Sequence, residues 1–381
     1  MSKRSNGEGT IYKRKNGTWC AAYYIVTPQG KKRKSVYGKT QKEVREKLKK
    51  AQRDAEQQSV NNDRSITLSD WVGLWLKDYK KNNLKLTTYQ NYELNYDKHI
   101  KESKIGKKNL YKLTVKDFQK FYNEKRMVLS SRTVRYLHTI INGAMKQALK
   151  EHLIKENVNE SVELPKKEKK EISVMTVDEM KILLETLKDG PYYALFLLEM
   201  QTGLRKGEIL GLQWDDIDFD NKKIYIRHNL CRIKGENGDS EFILMEPKTD
   251  TSKRILPLTD GMIDVLKAYK KQQEANRQYM GECYKDDRIV FADATGDYIK
   301  PRKLLQVFHD TLKKAGLQRY RFHDLRHSFA SLLLQDGESV KVIQELLGHS
   351  MISTTLDIYT HTNEEIKRKG IENVADNLFK E

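Results

Sequence analysis

The spacing of apolar residues divides this chain into stretches of different period. Up to about residue 37 they fall in short runs rich in aromatic and β-branched side chains, which predicts strands. Gly9 to Arg14 (GTIYKR) is the first run, and Asn16-Gly17 closes it with a strong hairpin-turn signal. Thr18 to Val26 (TWCAAYYIV) is the second, Pro28-Gln29-Gly30 makes the next turn, and Lys31 to Tyr37 returns. The period then lengthens. Thr40-x-x-Glu43 reads as a capping box, and Val44, Leu48, Ala51 and Ala55 come after it at helical spacing. The first segment is expected to be a three-stranded sheet with one helix.

From about 66 to 160 every apolar pattern is helical. Thr67 caps a helix over Leu68–Tyr79 with Trp71, Leu74 and Trp75 on one face, and helices over Thr87–Ile100, Val115–Leu129 and Ser131–His152 come next. In the last, Val134, Leu137, Ile141, Met145 and Ala148 form a regular stripe, read as core. Pro165 to Glu171 has almost no apolar content and reads as an exposed linker. Beyond it Thr176-x-x-Glu179 caps a new helix and a larger α+β domain begins. The expected organisation is multidomain: a sheet-plus-helix unit at 1–64, an all-α domain at 65–164, a linker at 165–174, and a mainly α domain at 175–381 ending in a C-terminal helix. No internal repeat is visible.

Composition narrows the function classes. The 381 residues are 38% hydrophobic and 33% charged, with net charge +18 and a pI near 9.4. That excess of cations suggests a polyanionic partner, since each phosphate contact releases a condensed counterion. Residues 1–64 alone hold 17 Lys/Arg against 6 Asp/Glu, a net +11. The strands of that segment carry Lys13, Arg14, Lys31, Lys32, Arg33 and Lys34 beside Tyr12, Trp19, Tyr23 and Tyr24. A sheet face with basic and aromatic residues can enter a DNA groove. A solvated basic sheet is the plainer alternative. A mean hydropathy of −0.76 and the lack of long apolar runs argue against a membrane span. Met1 to Gly7 has no apolar core, so no secretory signal is expected. Cys20, Cys231 and Cys283 stand far apart, which argues against disulfides and metal ligation and for a reducing cytoplasm.

The C-terminal domain scatters Arg, Lys and His in contexts that suit a phosphate. In Thr202-Gly-Leu-Arg205-Lys-Gly-Glu208, Gly203 reads as the residue that ends one helix, and Arg205 sits at the start of the next. Glu208, one turn on, can hold the guanidinium in place. In Glu246-Pro-Lys248-Thr-Asp-Thr-Ser-Lys-Arg254 the flanks read as strands, so Lys248 is expected in or beside a hairpin turn, with Lys234 and Lys253 as nearby alternatives. In His323-Asp-Leu-Arg326-His327, the first His and the Arg share a helical face, with Leu325, Phe329 and Leu332 on the buried side. In Leu346-Leu-Gly348-His349, Gly348 reads as the end of a helix begun at Ser339, and Asp357-Ile-Tyr359-Thr-His361 comes ten residues later. Taken singly, each fragment also fits a bland surface role, and Tyr359 is one of 20 tyrosines.

Taken together, T-G-L-R-x-x-E, K-T-x-x-S-x-R, H-x-L-R-H, L-G-H and Y-T-H resemble, in order and spacing, the tyrosine recombinases. The resemblance covers about 175–381. The N-terminal unit looks like the arm-type DNA-binding domain of integrases from temperate phages and conjugative transposons of Gram-positive bacteria. The helical middle looks like their SAM-like core-binding domain. The resemblance implies a site-specific recombinase that integrates and excises a mobile element. Tyr359 would be the nucleophile, His323 the proton acceptor, and Arg205 and Arg326 the clamp on the non-bridging oxygens. Lys248 would be the general acid, His349 a hydrogen-bond donor, and Glu208 a support for the first arginine. It also implies double-stranded DNA with core and arm sites as partner, and a homotetramer on that DNA. An excision factor or a DNA-bending protein would be a further partner. No cofactor is required: two arginines and a lysine act on the phosphate, the phosphotyrosine conserves bond energy, and the chain has neither clustered carboxylates nor a G-x-x-x-x-G-K-[ST] loop. The tail from Asn363, with Ile366, Ile371, Val374, Leu378 and Phe379, has the spacing of an amphipathic helix that would pack on a neighbouring protomer or on its own domain. Competing readings are a type IB topoisomerase-like relaxing enzyme, a non-catalytic DNA-binding protein and an RNA reader.

Overall fold

The computed structural model describes residues 10–14, 17–27, 30–59, 66–168, 173–235, 238–246, 253–286, 288–348 and 372, and their side chains except at 10, 24–27, 30–32 and 52–59. The chain divides into two compact units, Met1–Lys169 and Lys170–Glu381.

The first unit begins with strands β1 (Thr10–Lys13), β2 (Trp19–Thr27) and β3 (Gly30–Gly38), antiparallel in that order, followed by helix α1 (Gln41–Ser59). Register decides which side chains meet the helix. Ala21 pairs with Ile11 and Val36, whereas Cys20 pairs with Tyr12 and Tyr37. Because strand side chains alternate, Ile11, Trp19, Ala21, Tyr23 and Val36 share the face that packs on Val44 and Leu48 of α1. Tyr12 and Tyr37 fall on the opposite face and are exposed. The Glu43 amide donates to Thr40 Oγ1 at 3.2 Å, and the Glu43 carboxylate accepts from the backbone of Lys39, at 2.8 Å, and of Thr40.

The rest of the unit is helical: α2 (Leu68–Trp75), α3 (Leu86–Asn95), α4 (Val115–Arg126) and α5 (Ser131–Lys150). Complete capping boxes start two of them, Thr67 with Asp70 and Thr114 with Asp117. Helices α2 and α3 each continue for five residues with a widened turn, in which the Lys81 amide donates to the Leu76 carbonyl and the Lys101 amide to that of Tyr96. The α5 stripe is buried as expected, and Trp71 Nε1 donates to the Ala144 carbonyl at 2.7 Å, fixing α2 against it. Leu74 departs from expectation and is exposed. At about 100° per residue it lies to one side of Trp71 while Trp75 lies to the other, which puts Leu74 at the margin of the buried stripe. The predicted linker also begins later than its composition suggests. Pro165 is buried and its carbonyl accepts from Arg135 at 2.9 Å, while the Glu168 carboxylate accepts from Ser131 at 2.6 Å.

The second unit contains α6 (Val177–Leu187), α7 (Tyr193–Thr202), α8 (Lys206–Leu210), β4 (Ile217–Asp218), β5 (Lys223–Ile226), β6 (Asn229–Lys234), β7 (Ser240–Met245), β8 (Arg254–Pro257), α9 (Asp260–Met280), α10 (Pro301–Lys314), α11 (Phe322–Gln335) and α12 (Val340–Leu347). Helix α7 is apolar on nearly every side and runs through the core. Its Phe196 stacks on Phe308 at 5.7 Å and meets Phe322 edge-on at 5.9 Å, pairs worth about 0.5–1.5 kcal/mol each beyond area burial. Among the described residues, β7 pairs with β6, and β8 with β5 beside β4. The strands on either side of Lys248 therefore pair elsewhere and, among the described residues, not with each other as a hairpin would; Lys248 itself lies outside the described residues. Strand propensity marked both flanks but could not name their partners.

Candidate active site

The first arginine is placed by the end of α7. Gly203 takes a left-handed conformation, φ +58°, and a Cβ there would come within 2.6 Å of the Phe329 ring. Only glycine permits both the turn and that approach. The chain reverses, and Arg205 becomes the residue that precedes α8. Glu208, buried one turn later, accepts from the Arg205 amide at 2.9 Å and from its Nη1 at 2.6 Å. The support expected of Glu208 is thus a bond to both ends of Arg205.

The second arginine lies on α11. Arg326 is 1% exposed. Its Nη1 donates to the Gly203 carbonyl at 2.7 Å and its Nη2 to the Leu347 carbonyl at 2.6 Å. Burial, then Arg205, pulls it below the usual arginine range to about 9, with Glu208 and Glu199 opposing, so it remains charged at pH 7. His323 lies three residues earlier on the same helix, its ring 4.8 Å from that of His327. Burial, then His327, Arg326 and Arg205, pulls the imidazole down to about 4, against Asp324. The residue as a whole is exposed, so solvent screens much of this effect. The ring is neutral at pH 7 and can accept a proton.

A third arginine, given no role from sequence, completes the cluster. Arg254, at the start of β8, donates through Nε to the Leu346 carbonyl at 2.7 Å and through Nη2 to Glu208 at 2.9 Å. Three consecutive carbonyls at the end of α12 are thereby taken in turn: Leu346 by Arg254, Leu347 by Arg326 and Gly348 by Arg205 at 2.7 Å. The last carbonyls of a helix have no partner within it and sit at the negative end of its dipole, so guanidiniums are suitable partners. Burial pushes the Glu208 carboxyl up, but Arg254 and Arg205 outweigh it and leave it below the usual carboxylate range. The sequence signal for Arg254 was its place closing K-T-x-x-S-x-R, just before an apolar strand.

Arg205, Glu208, His323 and Arg326 are therefore brought together around the end of α12. Lys248, His349 and Tyr359, and the tail from Asn363 apart from Glu372, lie outside the described residues. Of the lysines near Lys248, Lys253 forms an ion pair with Glu246 at 2.8 Å. In the N-terminal unit, Lys13, Arg14, Arg33 and Lys34 are exposed. The Arg14 guanidinium lies over the Tyr37 ring at 5.3 Å, on the open face, and Arg33 falls there by register. Trp19 and Tyr23 do not, because they pack on α1. The side chains of Lys31 and Lys32 are outside those described.

Residues 173–365 match the model of the phage integrase family, and residues 67–126 match that of the phage integrase N-terminal SAM-like domain. The chain belongs to the phage integrase family. It is a tyrosine recombinase, an enzyme of site-specific recombination that cleaves and rejoins DNA. A "Tyrosine recombinase XerC-like" protein of Caldanaerobacter subterraneus subsp. tengcongensis is 32% identical over 359 residues, covering 90% of this chain and 92% of its own. A structure of the Tn1549 transposon integrase in complex with circular intermediate DNA covers 81% of this recombinase and 99% of its own chain, with a TM-score of 0.66 at 19% identity. A lambda integrase tetramer bound to a Holliday junction covers 90% and 95%, with a TM-score of 0.55 at 19% identity. Among the described residues no helix is long and apolar enough to cross a membrane.

Proposed function

We propose that this recombinase integrates and excises a mobile element through a 3′-phosphotyrosine formed at Tyr359, with the arginine cluster at the end of α12 as the phosphate site. The observation that carries this reading is the anchoring of Arg205 and Arg326. Each guanidinium has five N–H donors. Among the described residues each uses one on Gly203 or Glu208 and one on a carbonyl at the end of α12, and the others are the donors that would grip oxygens on which charge builds in the transition state. Tyr359 Oη attacks the phosphorus as the bond to the 5′-oxygen breaks. His323, neutral at pH 7, takes the tyrosine proton. Lys248 protonates the leaving 5′-oxygen and His349 donates a hydrogen bond to the phosphate. Glu208 and Arg254 hold the clamp without touching DNA.

In this reading residues 175–381 cleave, 65–164 grip the core site, and 1–64 hold an arm site through the open sheet face, with a linker after Glu168 joining the helical and cleaving domains. The exposed Arg14, Arg33, Tyr12 and Tyr37 support the arm assignment. Exchange between two duplexes requires four cleavages and hence a tetramer on DNA, the assembly seen for lambda integrase. The setting is the bacterial cytoplasm. The test is to incubate the protein with a library of nicked duplexes, without Mg²⁺ or ATP, and to look for DNA that stays attached after denaturation. The wild type is expected to form adducts and Tyr359→Phe none. Adducts with both proteins would mean that another residue attacks.

A further inference from the structure

Beneath the arginines lies a carboxyl that the mechanism does not use. Glu199, on α7, is 1% exposed. Its backbone carbonyl accepts from the Gly203 amide at 2.8 Å, and the Gly203 carbonyl in turn holds Arg326. Neither carboxyl oxygen of Glu199 has a hydrogen-bond partner among the described residues. Burying such a group is costly. The other buried side chains of α7 are apolar except Thr202, whose hydroxyl donates to the Leu198 carbonyl of its own helix. The flanking helices α6 and α9 pack apolar residues into this core. Among the described residues, the charged groups that act on Glu199 are Arg326 from α11, Glu208 from α8 and Arg254 from β8.

We propose that Glu199 is a positioning residue for recombination, an internal counter-charge to Arg326 and Arg254 that is neutralised by a proton when the scissile phosphate enters. The proposal rests on the reading of Arg205 and Arg326 as the phosphate clamp. A phosphate brings negative charge to the same guanidiniums and lowers the positive potential at Glu199. A proton from solvent then joins a Glu199 carboxylate oxygen, and no bond to phosphorus changes. Burial already pushes this carboxyl well above the usual range, with Glu208 adding to the effect and Arg326 and Arg254 opposing it. An anion that binds with proton uptake binds more tightly as pH falls.

The test compares the affinity of the full chain for nicked duplexes selected by the wild type, in a Tyr359→Phe background that cannot cleave. With Glu199 and Glu199→Gln measured from about pH 6 to about pH 9, the two are expected to agree at the acid end and to diverge as pH rises. The glutamine variant should bind roughly tenfold more tightly at the alkaline end. Glu199→Met, which removes the charge without adding an amide, should behave as Glu199→Gln does. Both variants should also melt higher than the parent at alkaline pH, with the gap closing in acid, because a carboxyl whose pKa is raised by folding lowers stability only where it must ionise. Affinity profiles that run parallel at every pH, or weaker binding by both variants throughout, would overturn the proposal. Arg205→Ala in the same background separates the two levels. If it weakens binding while the profiles stay parallel, only the Glu199 proposal fails. If it leaves binding unchanged, the clamp reading fails, and this proposal with it.

Discussion

Two cationic regions of this molecule are built in opposite ways. At the end of α12, Arg205, Arg254 and Arg326 are partly or wholly buried, and each has two or more protein acceptors. On the open face of the N-terminal sheet, Arg14 and Arg33 are exposed beside Tyr12 and Tyr37. The buried cluster fixes the direction of every donor before any phosphate arrives, as transition-state stabilisation requires. The exposed face leaves its side chains free to adapt to a backbone whose shape varies, and surface charges of this kind cost little and can be exchanged.

The sharpest way to break this comparison is Arg326→Lys. An ammonium keeps the charge but cannot reach the Gly203 and Leu347 carbonyls and still present a planar fork. Adduct formation on nicked duplexes should fall on the order of 100- to 1000-fold, with DNA binding at low salt nearly unchanged. A drop of less than a few fold would show that charge alone suffices there. Next in size is Glu208→Gln, which leaves Arg205 and Arg254 without their shared buried carboxylate. Urea denaturation at pH 7 should show a loss of about 3 kcal/mol. The Glu208 carboxyl lies below its ordinary value in the folded chain. Its contribution is therefore present above the unfolded carboxylate range and is lost as pH falls through the folded value, so the gap between wild type and variant should narrow in acid. The smallest effect belongs to the sheet. Arg33→Ala should weaken binding to arm-site DNA a few fold and lower the salt slope by about one, with no change in melting. Trp19→Ala, in the same sheet but on the α1 face, should do the reverse and destabilise the N-terminal unit. If Trp19→Ala spared stability and cut DNA affinity instead, the assignment of the two faces would be inverted.

Much of this was readable from residue order. Helix ends announced themselves because their chemistry is local: Thr67 before α2, Thr176 with Glu179 before α6, and Gly203 and Gly348 where the backbone turns left-handed. The α5 stripe was equally plain, since a period of 3.6 needs no partner to be recognised. The features that escaped depend on partners distant in sequence. The alternation in β2 shows that Trp19 and Tyr23 share a face, but only the placement of α1 tells which face is covered. The flanks of Lys248 read as strands, yet β8 pairs with a strand 28 residues or more upstream rather than with β7. Arg254 and Glu199 owe their importance to a cluster drawn from five elements. Motif position hinted at the arginine, and no local sign marks the glutamate.

The end of α12 has a consequence for how such a chain can diverge. Each residue added to or removed from a helix rotates every later residue by about 100°. A single insertion between Ser339 and Gly348 would swing three carbonyls away from three arginines at once, and no one compensating substitution could restore them. The β6–β7 hairpin carries no such constraint, because none of the three arginines or the carbonyls they hold lies in it. Length variation among related chains should therefore collect in that hairpin and be absent from α12, so that this short helix acts as a fixed gauge against which the rest of the fold is free to drift.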